Sequence, residues 1–278
     1  MRRVNPSLYT KRYYLFACNG YGCFKKSYGK KLDAGLLRII QNISIRKGQS
    51  VLDVGSGRGE VCFWAAGQGA NAVGIDYSKE AVKLAQKARY MQSGSIKKRT
   101  RFLLMDAKKL SFSSNTFDLV FMIEVLEHLY PEEQKRVLLE IRRVLKNDGV
   151  LLLHTAPTKW FNDFTYRFWC YPVSWLLTNL WNGITGRKYP GLQPPKRIRG
   201  EYDKLLHVGE SDYLSLRHLL RNTGFKGKIR STNITVIKPF LSWKDALFNF
   251  LVYLYPLSNT FPFDVFWGND LIAVLTKS

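Results

Sequence analysis

Nine residues constrain this chain more than any others: Val51-Leu52-Asp53-Val54-Gly55-Ser56-Gly57-Arg58-Gly59. The short apolar run predicts a buried strand. The three glycines that follow predict a turn tight enough for backbone to approach a ligand. Glu60 to Ala66 then reads as a helix, stopped by Gly67 and Gly69. A strand, a glycine loop and a helix in this order begin an open α/β sheet, where ligands sit at the carboxyl ends of the strands. The spacing is GxGxG, not the GxGxxG of dinucleotide binders, and no Gly-Lys-Ser/Thr follows, which excludes a P-loop.

The next hundred or so residues repeat the strand and helix rhythm. Ala72 to Ile75 is the second expected strand. Ser78 caps a helix whose apolar face is Ala81, Val82, Ala85 and Ala88. Arg101 to Met105 and Phe117 to Ile123 are the third and fourth strands. Pro131, Glu132 and Glu133 begin a helix, with Arg142, Arg143 and Lys146 in its last turn, so both ends complement the macrodipole. Asn147-Asp148-Gly149 is expected to end it before a fifth strand, Val150 to Leu153. Asp212 to Arg221 reads as a helix closed by Gly224, a sixth strand falls within 226–236, and Leu271 to Leu275 is the last. The fold class expected is α/β: a Rossmann-like, mostly parallel seven-stranded sheet with helices on both faces.

Two carboxylates join the glycine loop on one edge of such a sheet. Asp76 ends the second strand, where it can accept both hydroxyls of a ribose, and Asp106, followed by Ala107, ends the third. Together with Phe117-Asp118-Leu119-Val120 and Val144-Leu145-Lys146-Asn147-Asp148-Gly149, these segments resemble the class I S-adenosylmethionine-dependent methyltransferases. The resemblance covers residues 32–157 and, more weakly, 207–236. It implies S-adenosylmethionine as cofactor. It implies that Asp53, Gly55, Ser56, Gly57 and Gly59 hold the methionine end, Asp76 and Tyr77 the ribose, and Asp106 and Ala107 the adenine. Glu124, just past the fourth strand, is implied to lie near the methyl group.

Glu124, Glu127 and His128 fall at i, i+3 and i+4, so a helical stretch would place them on one face. The segment is similar to that of ubiquinone-pathway O-methyltransferases, some of which bind a metal there. No metal is expected here, because many relatives share the pattern without one. Glu124 and His128 are the catalytic candidates, with His128 as base. His154, after the fifth strand, reads as a buried structural histidine.

Charge and aromatic content bear on partners. Of 278 residues, 43 are Lys or Arg and 21 Asp or Glu, a net charge of +22. Residues 1–50 carry +10 of this, 51–157 only +4, and 158–278 the remaining +8. The excess therefore flanks the motif-bearing core and points to anionic partners: phosphates, nucleic acid or an acidic membrane surface. Cys18, Cys23, Cys62 and Cys170 form no CxxC pair, so neither a zinc site nor a disulfide framework is expected, and the default compartment is reducing. The apolar stretch after Arg2 and Arg3 is too short for a signal peptide.

The expected organisation is a basic, aromatic N-terminal extension (1–31) and a methyltransferase domain (32–278) with aromatic inserts at 158–206 and 240–268. No charged residue lies between Arg167 and Arg187, where Trp169, Trp175, Leu176, Leu180 and Trp181 cluster. None lies between Asp245 and Asp264, where Leu247, Phe250, Leu251 and Tyr253 do. Prolines, asparagines and glycine interrupt both stretches, so transmembrane helices are not expected. The inserts read either as a hydrophobic lid over the acceptor or as an interfacial membrane anchor. The function expected is O-methylation of an apolar or lipid-linked small molecule by a cytoplasmic, membrane-peripheral enzyme. An RNA methyltransferase and a non-catalytic, cofactor-binding accessory protein are the alternatives.

Overall fold

The structure, a computed structural model, describes residues 4–41, 43–234 and 242–278. Its frame is one seven-stranded sheet in the order β3-β2-β1-β4-β5-β7-β6. The strands are β1 (Ser50–Val54), β2 (Asn71–Asp76), β3 (Thr100–Leu104), β4 (Phe117–Ile123), β5 (Leu145–Thr155), β6 (Phe225–Thr232) and β7 (Asp270–Lys277). The first five pair in parallel, and β7 lies antiparallel between β5 and β6. Leu52, Val54, Val120 and Met122 are wholly buried in the centre, as strands covered on both faces require.

Three helices cover the motif-bearing half: α1 (Glu60–Gly67), α2 (Lys79–Tyr90) and α3 (Pro131–Val144). The Ser78 hydroxyl accepts the Ala81 N–H at 3.3 Å and caps α2, whose buried face is Ala81, Val82, Ala85 and Ala88. α3 stops at Val144, earlier than the sequence suggests. Lys146 belongs to β5, not to the last helical turn, and its ammonium lies 2.7 Å from Asp118. The other Asp118 oxygen accepts the Ser50 N–H, also at 2.7 Å. Asp118 thus ties β1, β4 and β5 together at their amino ends, a tertiary reason for the early strand that local signals do not carry. Residues 235–236 of the expected sixth strand and 240–241 of the second insert lie outside the described residues.

The two inserts share one core. A π-helical segment, Phe161–Cys170, runs without a break into α4 (Tyr171–Thr185). It meets α6 (Trp243–Tyr253), while α5 (Tyr213–Asn222) belongs to the sheet. Phe161, Tyr166, Cys170, Val252 and Tyr253 are buried against one another. The Thr158 and Thr165 hydroxyls donate to the carbonyls of Gly268 (2.8 Å) and Phe266 (2.6 Å), and Trp160 stacks on Phe266 with ring centres 5.4 Å apart.

Candidate active site

The carboxyl ends of β1, β2, β3 and β4 open onto one cavity of about 500 Å³. The glycine loop crosses its floor with Gly55, Gly57 and Gly59 all at positive φ. At Gly59 (φ +88°) a Cβ would stand 2.6 Å from the Phe102 ring, so only glycine lets α1 begin this close to β3. At Gly57 a Cβ would meet nothing closer than a Tyr14 ring carbon at 3.7 Å, because that side of the loop faces the cavity.

Asp76 stands beside the loop. One carboxylate oxygen accepts the Gly57 N–H at 3.0 Å and the other the Ser78 N–H at 2.8 Å. Burial lifts its pKa to about 6. Asp53 is also buried, which lifts its pKa to about 7, and it takes a weak bond from the Cys62 thiol at 3.7 Å. Asp106 and Ala107 line the far side, with the Lys108 ammonium 3.4 Å from Asp106 and 2.5 Å from Glu133. Asp53, Gly55, Ser56, Gly57, Asp76, Tyr77, Asp106, Ala107, Glu124 and His128 all line the cavity. Gly59 stands behind the loop, against Phe102 and Ala85.

The Glu124 to His128 segment is not helical throughout, so the condition for a shared face is not met. Glu124 sits in the left-handed region (φ +52°), and only Leu126–His128 turns, as a 3₁₀ element. Glu124 therefore parts from Glu127 and His128, which stay close together. Glu124 faces the cavity. Glu127 turns into the interior, where its carboxylate accepts the Thr155 hydroxyl at 2.7 Å and burial raises its pKa to about 7. Its carbonyl accepts the N–H groups of Val208 and Gly209, both at 3.0 Å. His128 Nδ1 lies 3.3 Å from the Leu206 carbonyl. A carbonyl only accepts, so the proton is on Nδ1 and the Nε2 lone pair is left over. Burial, reinforced by neighbouring His207, pushes the His128 pKa down to about 3. His128 is thus a neutral imidazole and a much weaker base than the sequence suggests.

Glu127, His128 and His207 bring ligand-type atoms within 4.8 Å of one another, a different trio from the one on the sequence face. Each already has a partner: Thr155, the Leu206 carbonyl and Glu210 (3.2 Å from His207 Nδ1) respectively. His154 is wholly buried with Nε2 3.1 Å from Asp270, also wholly buried. Burial works against its charged form, but the Asp270 bond outweighs this and raises the pKa.

The residues that sequence reasoning missed come from the N-terminal segment. Tyr9, Tyr13, Tyr14, Cys18 and Asn19 line the cavity, and the Ser78 hydroxyl donates to the Tyr9 carbonyl at 3.1 Å. Arg58 fastens the segment down. Its buried guanidinium donates to the carbonyls of Tyr14 (2.8 Å) and Asn19 (2.5 Å) and to Glu60 (3.0 Å). The Asn19 amide in turn donates to Glu124 at 3.1 Å. Residues between Val4 and Gly20, continued by Asp33 to Ile39, therefore wall the cavity opposite the glycine loop. Among the described residues, no side chain of 158–206 or 242–268 lines the cavity, so those spans do not act as its lid.

Comparison with known proteins gives these features a family. Residues 52–153 match a family model described as a methyltransferase domain. A Haloferax volcanii putative methyltransferase, solved in complex with the Trm112 methyltransferase activator, superposes with a TM-score of 0.59 at 14% identity, over 100% of this chain and 99% of that one. The chain carries a class I S-adenosylmethionine-dependent methyltransferase domain, and S-adenosylmethionine is its cofactor. An uncharacterised protein of Methanocaldococcus jannaschii is 27% identical over 250 residues, 84% of this chain and 86% of its own length. The Escherichia coli cyclopropane-fatty-acyl-phospholipid synthase is 28% identical over 148 residues, half of this chain but only 36% of the synthase.

Proposed function

We propose that this protein transfers the methyl group of S-adenosylmethionine to an oxygen of an apolar or lipid-linked small molecule at a membrane surface. The observation that carries the reading is the composition of the cavity at the carboxyl ends of the strands. Cofactor-type groups (the glycine loop, Asp76, Asp106) and an apolar wall (Tyr9, Tyr13, Tyr14, Leu36, Ile39, Ile234) share about 500 Å³. That volume suits a nucleoside-sized ligand beside a small acceptor. The similarity to a synthase named for a fatty-acyl phospholipid, over half of this chain, lends support on the acceptor side.

The donor set fits the cofactor. Each Asp76 oxygen spends one lone pair on a backbone N–H and keeps another, enough to accept both hydroxyls of a ribose. Asp53, Gly55, Ser56 and Gly57 would hold the methionine end, with Gly59 shaping the loop from behind. Tyr77 would flank the ribose, and Asp106 and Ala107 the adenine. The bound cofactor supplies an electrophilic methyl group on a sulfonium.

The chain's own residues then position and desolvate the acceptor. The acceptor oxygen would give up its proton as it takes the methyl group. The oxygen's proton passes to His128 Nε2. A weak base suffices, because the proton need leave only as the new bond makes the oxygen acidic. Glu124, held by Asn19, would face the methyl group and offset its positive charge. The likeness of Glu124 to His128 to ubiquinone-pathway O-methyltransferases belongs to this proposal.

The test has two parts. Calorimetric titration should give cofactor binding that Asp76→Ala abolishes. Labelled cofactor with a membrane extract should then give a labelled product that partitions into organic solvent. Label that stays in water, or in RNA, would overturn the acceptor assignment while leaving cofactor binding intact.

A further inference from the structure

The insert subdomain buries one apolar surface and leaves a second one bare. Its inner residues pack around Phe161, Tyr166 and Val252. Its outer face is apolar too. Phe164 and Phe168, on the π-helical segment, and Leu176, Leu180 and Ile184, on α4, lie four apart, with the exposed Pro172 between Phe168 and Leu176, and are all exposed. Phe168 is 68% exposed and Ile184 82%. Trp175 lies beside this stripe, and from the second insert Trp243 (66%) and Phe261 (83%) are equally bare. Scattered exposed apolar residues are ordinary, but a continuous helical stripe of them calls for a partner. The cavity is not that partner, since no described residue of the inserts lines it.

Charge selects among occupants. No acidic or basic residue interrupts Phe168 to Gly186, and Arg187 and Lys188 follow directly. Lys244 lays its ammonium 4.7 Å from the centre of the Trp181 ring and 5.9 Å from that of Trp243, and the Arg167 guanidinium lies 5.5 Å from the Phe168 ring centre. Cations seated on aromatic rings at the border of an apolar face suit a boundary that is hydrocarbon on one side and anionic headgroup on the other. The net charge of +22 acts in the same direction. Among the described residues no helix is long and apolar enough to cross a membrane, so the face would lie in the interface plane.

We infer that the face formed by Phe168, Trp175, Leu180, Ile184 and Trp243 inserts into the headgroup region of an anionic bilayer, with Arg167, Arg187, Lys188 and Lys244 on lipid phosphates. The inference deepens the membrane element of the proposed function and rests on it for the choice of partner.

The test is co-sedimentation of the whole protein with vesicles of phosphatidylcholine, with and without phosphatidylglycerol. The variant carries Trp175→Ser, Leu180→Ser and Ile184→Ser together, all exposed positions. Cofactor titration of the same samples reports an intact domain. Wild type should bind the mixed vesicles, and the variant should partition about ten-fold or more weakly with unchanged cofactor affinity. A variant that binds as wild type does would overturn the inference, because attraction would then be charge alone. So would a wild type that stays in the supernatant. A wild-type dimer that the substitutions split, without vesicle binding, would assign the face to a second copy. Vesicle binding without cofactor binding would sink the methyltransferase reading and leave the docking face standing.

Discussion

Arg58 Nη2 lies 2.5 Å from the carbonyl oxygen of Asn19, across 39 positions of sequence. The bond joins the glycine loop to the N-terminal segment. Through the Asn19 amide it reaches Glu124, so loop, cavity wall and the carboxylate past β4 are held by one connected set of polar contacts. Arg58, the fourth residue of the Gly55-Ser56-Gly57-Arg58-Gly59 loop, thus also builds the wall that faces the cofactor.

Arg58→Met should therefore do two kinds of damage. It strands the buried Glu60 carboxylate, which loses its partner at 3.0 Å, at a cost of about 3–5 kcal/mol. It also frees two carbonyls that hold the N-terminal segment. Urea unfolding should show the loss of stability, and limited proteolysis should cut near residues 14–20 faster than in wild type. Arg58→Met with Glu60→Met should recover part of the stability but not the protection from protease. Equal protease resistance in all three proteins would show that Arg58 does not hold the segment.

Asp76 gives a pH prediction. Its pKa is raised to about 6 in the protein without cofactor, so the carboxylate is charged above that pH and protonated below it. Only the charged form accepts from both ribose hydroxyls. Asp53, its pKa raised to about 7, titrates beside Asp76, so cofactor affinity should be flat above about pH 8 and fall as pH drops through 7 and 6, with the Asp76 share reaching up to about ten-fold per pH unit. Calorimetry across this range checks it. Asp76→Asn should bind weakly and lose the fall through pH 6, keeping only that of Asp53. An affinity that stays constant down to pH 5 would show that Asp76 does not carry the ribose contact.

The sheet was legible because its signals are local. The apolar runs, glycine loop, Ser78 cap and Gly224 stop are each set by neighbours in sequence. The β5 start was not legible, because Lys146 leaves the helix for an ion pair with Asp118, 28 residues away. The geometry of Glu124, Glu127 and His128 was misread because helical spacing presumes helical φ, and Glu124 is left-handed. The sequence shows residues 1–31 as a basic, aromatic extension, and the place of its tyrosines against the cavity was not legible. Nothing local names the Arg58 guanidinium, 39 and 44 positions away, that holds the carbonyls of Asn19 and Tyr14. The aromatic inserts were visible as composition, and their mutual packing, which removes them from the cavity, was not.

Gly59→Ala tests the loop geometry directly. The backbone there is at φ +88°, which costs an L-residue about 1–2 kcal/mol, and the new methyl would press on the Phe102 ring from 2.6 Å, adding about 1–3 kcal/mol of overpacking. Denaturant unfolding should show a loss of about 2–5 kcal/mol. Cofactor affinity should also fall, because α1 can then begin only by shifting away from β3. An unchanged midpoint would mean the loop relaxes freely and does not fix the floor of the cavity.

His128 separates a proton acceptor from a structural ring. With Nδ1 committed to the Leu206 carbonyl and the pKa pushed down to about 3, the imidazole stays neutral throughout the working range. Acidification from pH 8 to pH 5 therefore should not titrate it. At saturating cofactor, kcat should show no fall near pH 6.5, where an ordinary histidine base would be lost. His128→Gln keeps a side-chain amide able to bond the Leu206 carbonyl and offers an amide in place of the Nε2 lone pair. It should hold cofactor affinity close to wild type while kcat drops by about 10²–10⁴-fold. A variant whose kcat is intact but whose cofactor binding is lost would reassign His128 to packing against Tyr9 and His207, whose ring centres lie 5.8 Å and 4.9 Å away. The acceptor's proton would then have to leave by way of Glu124.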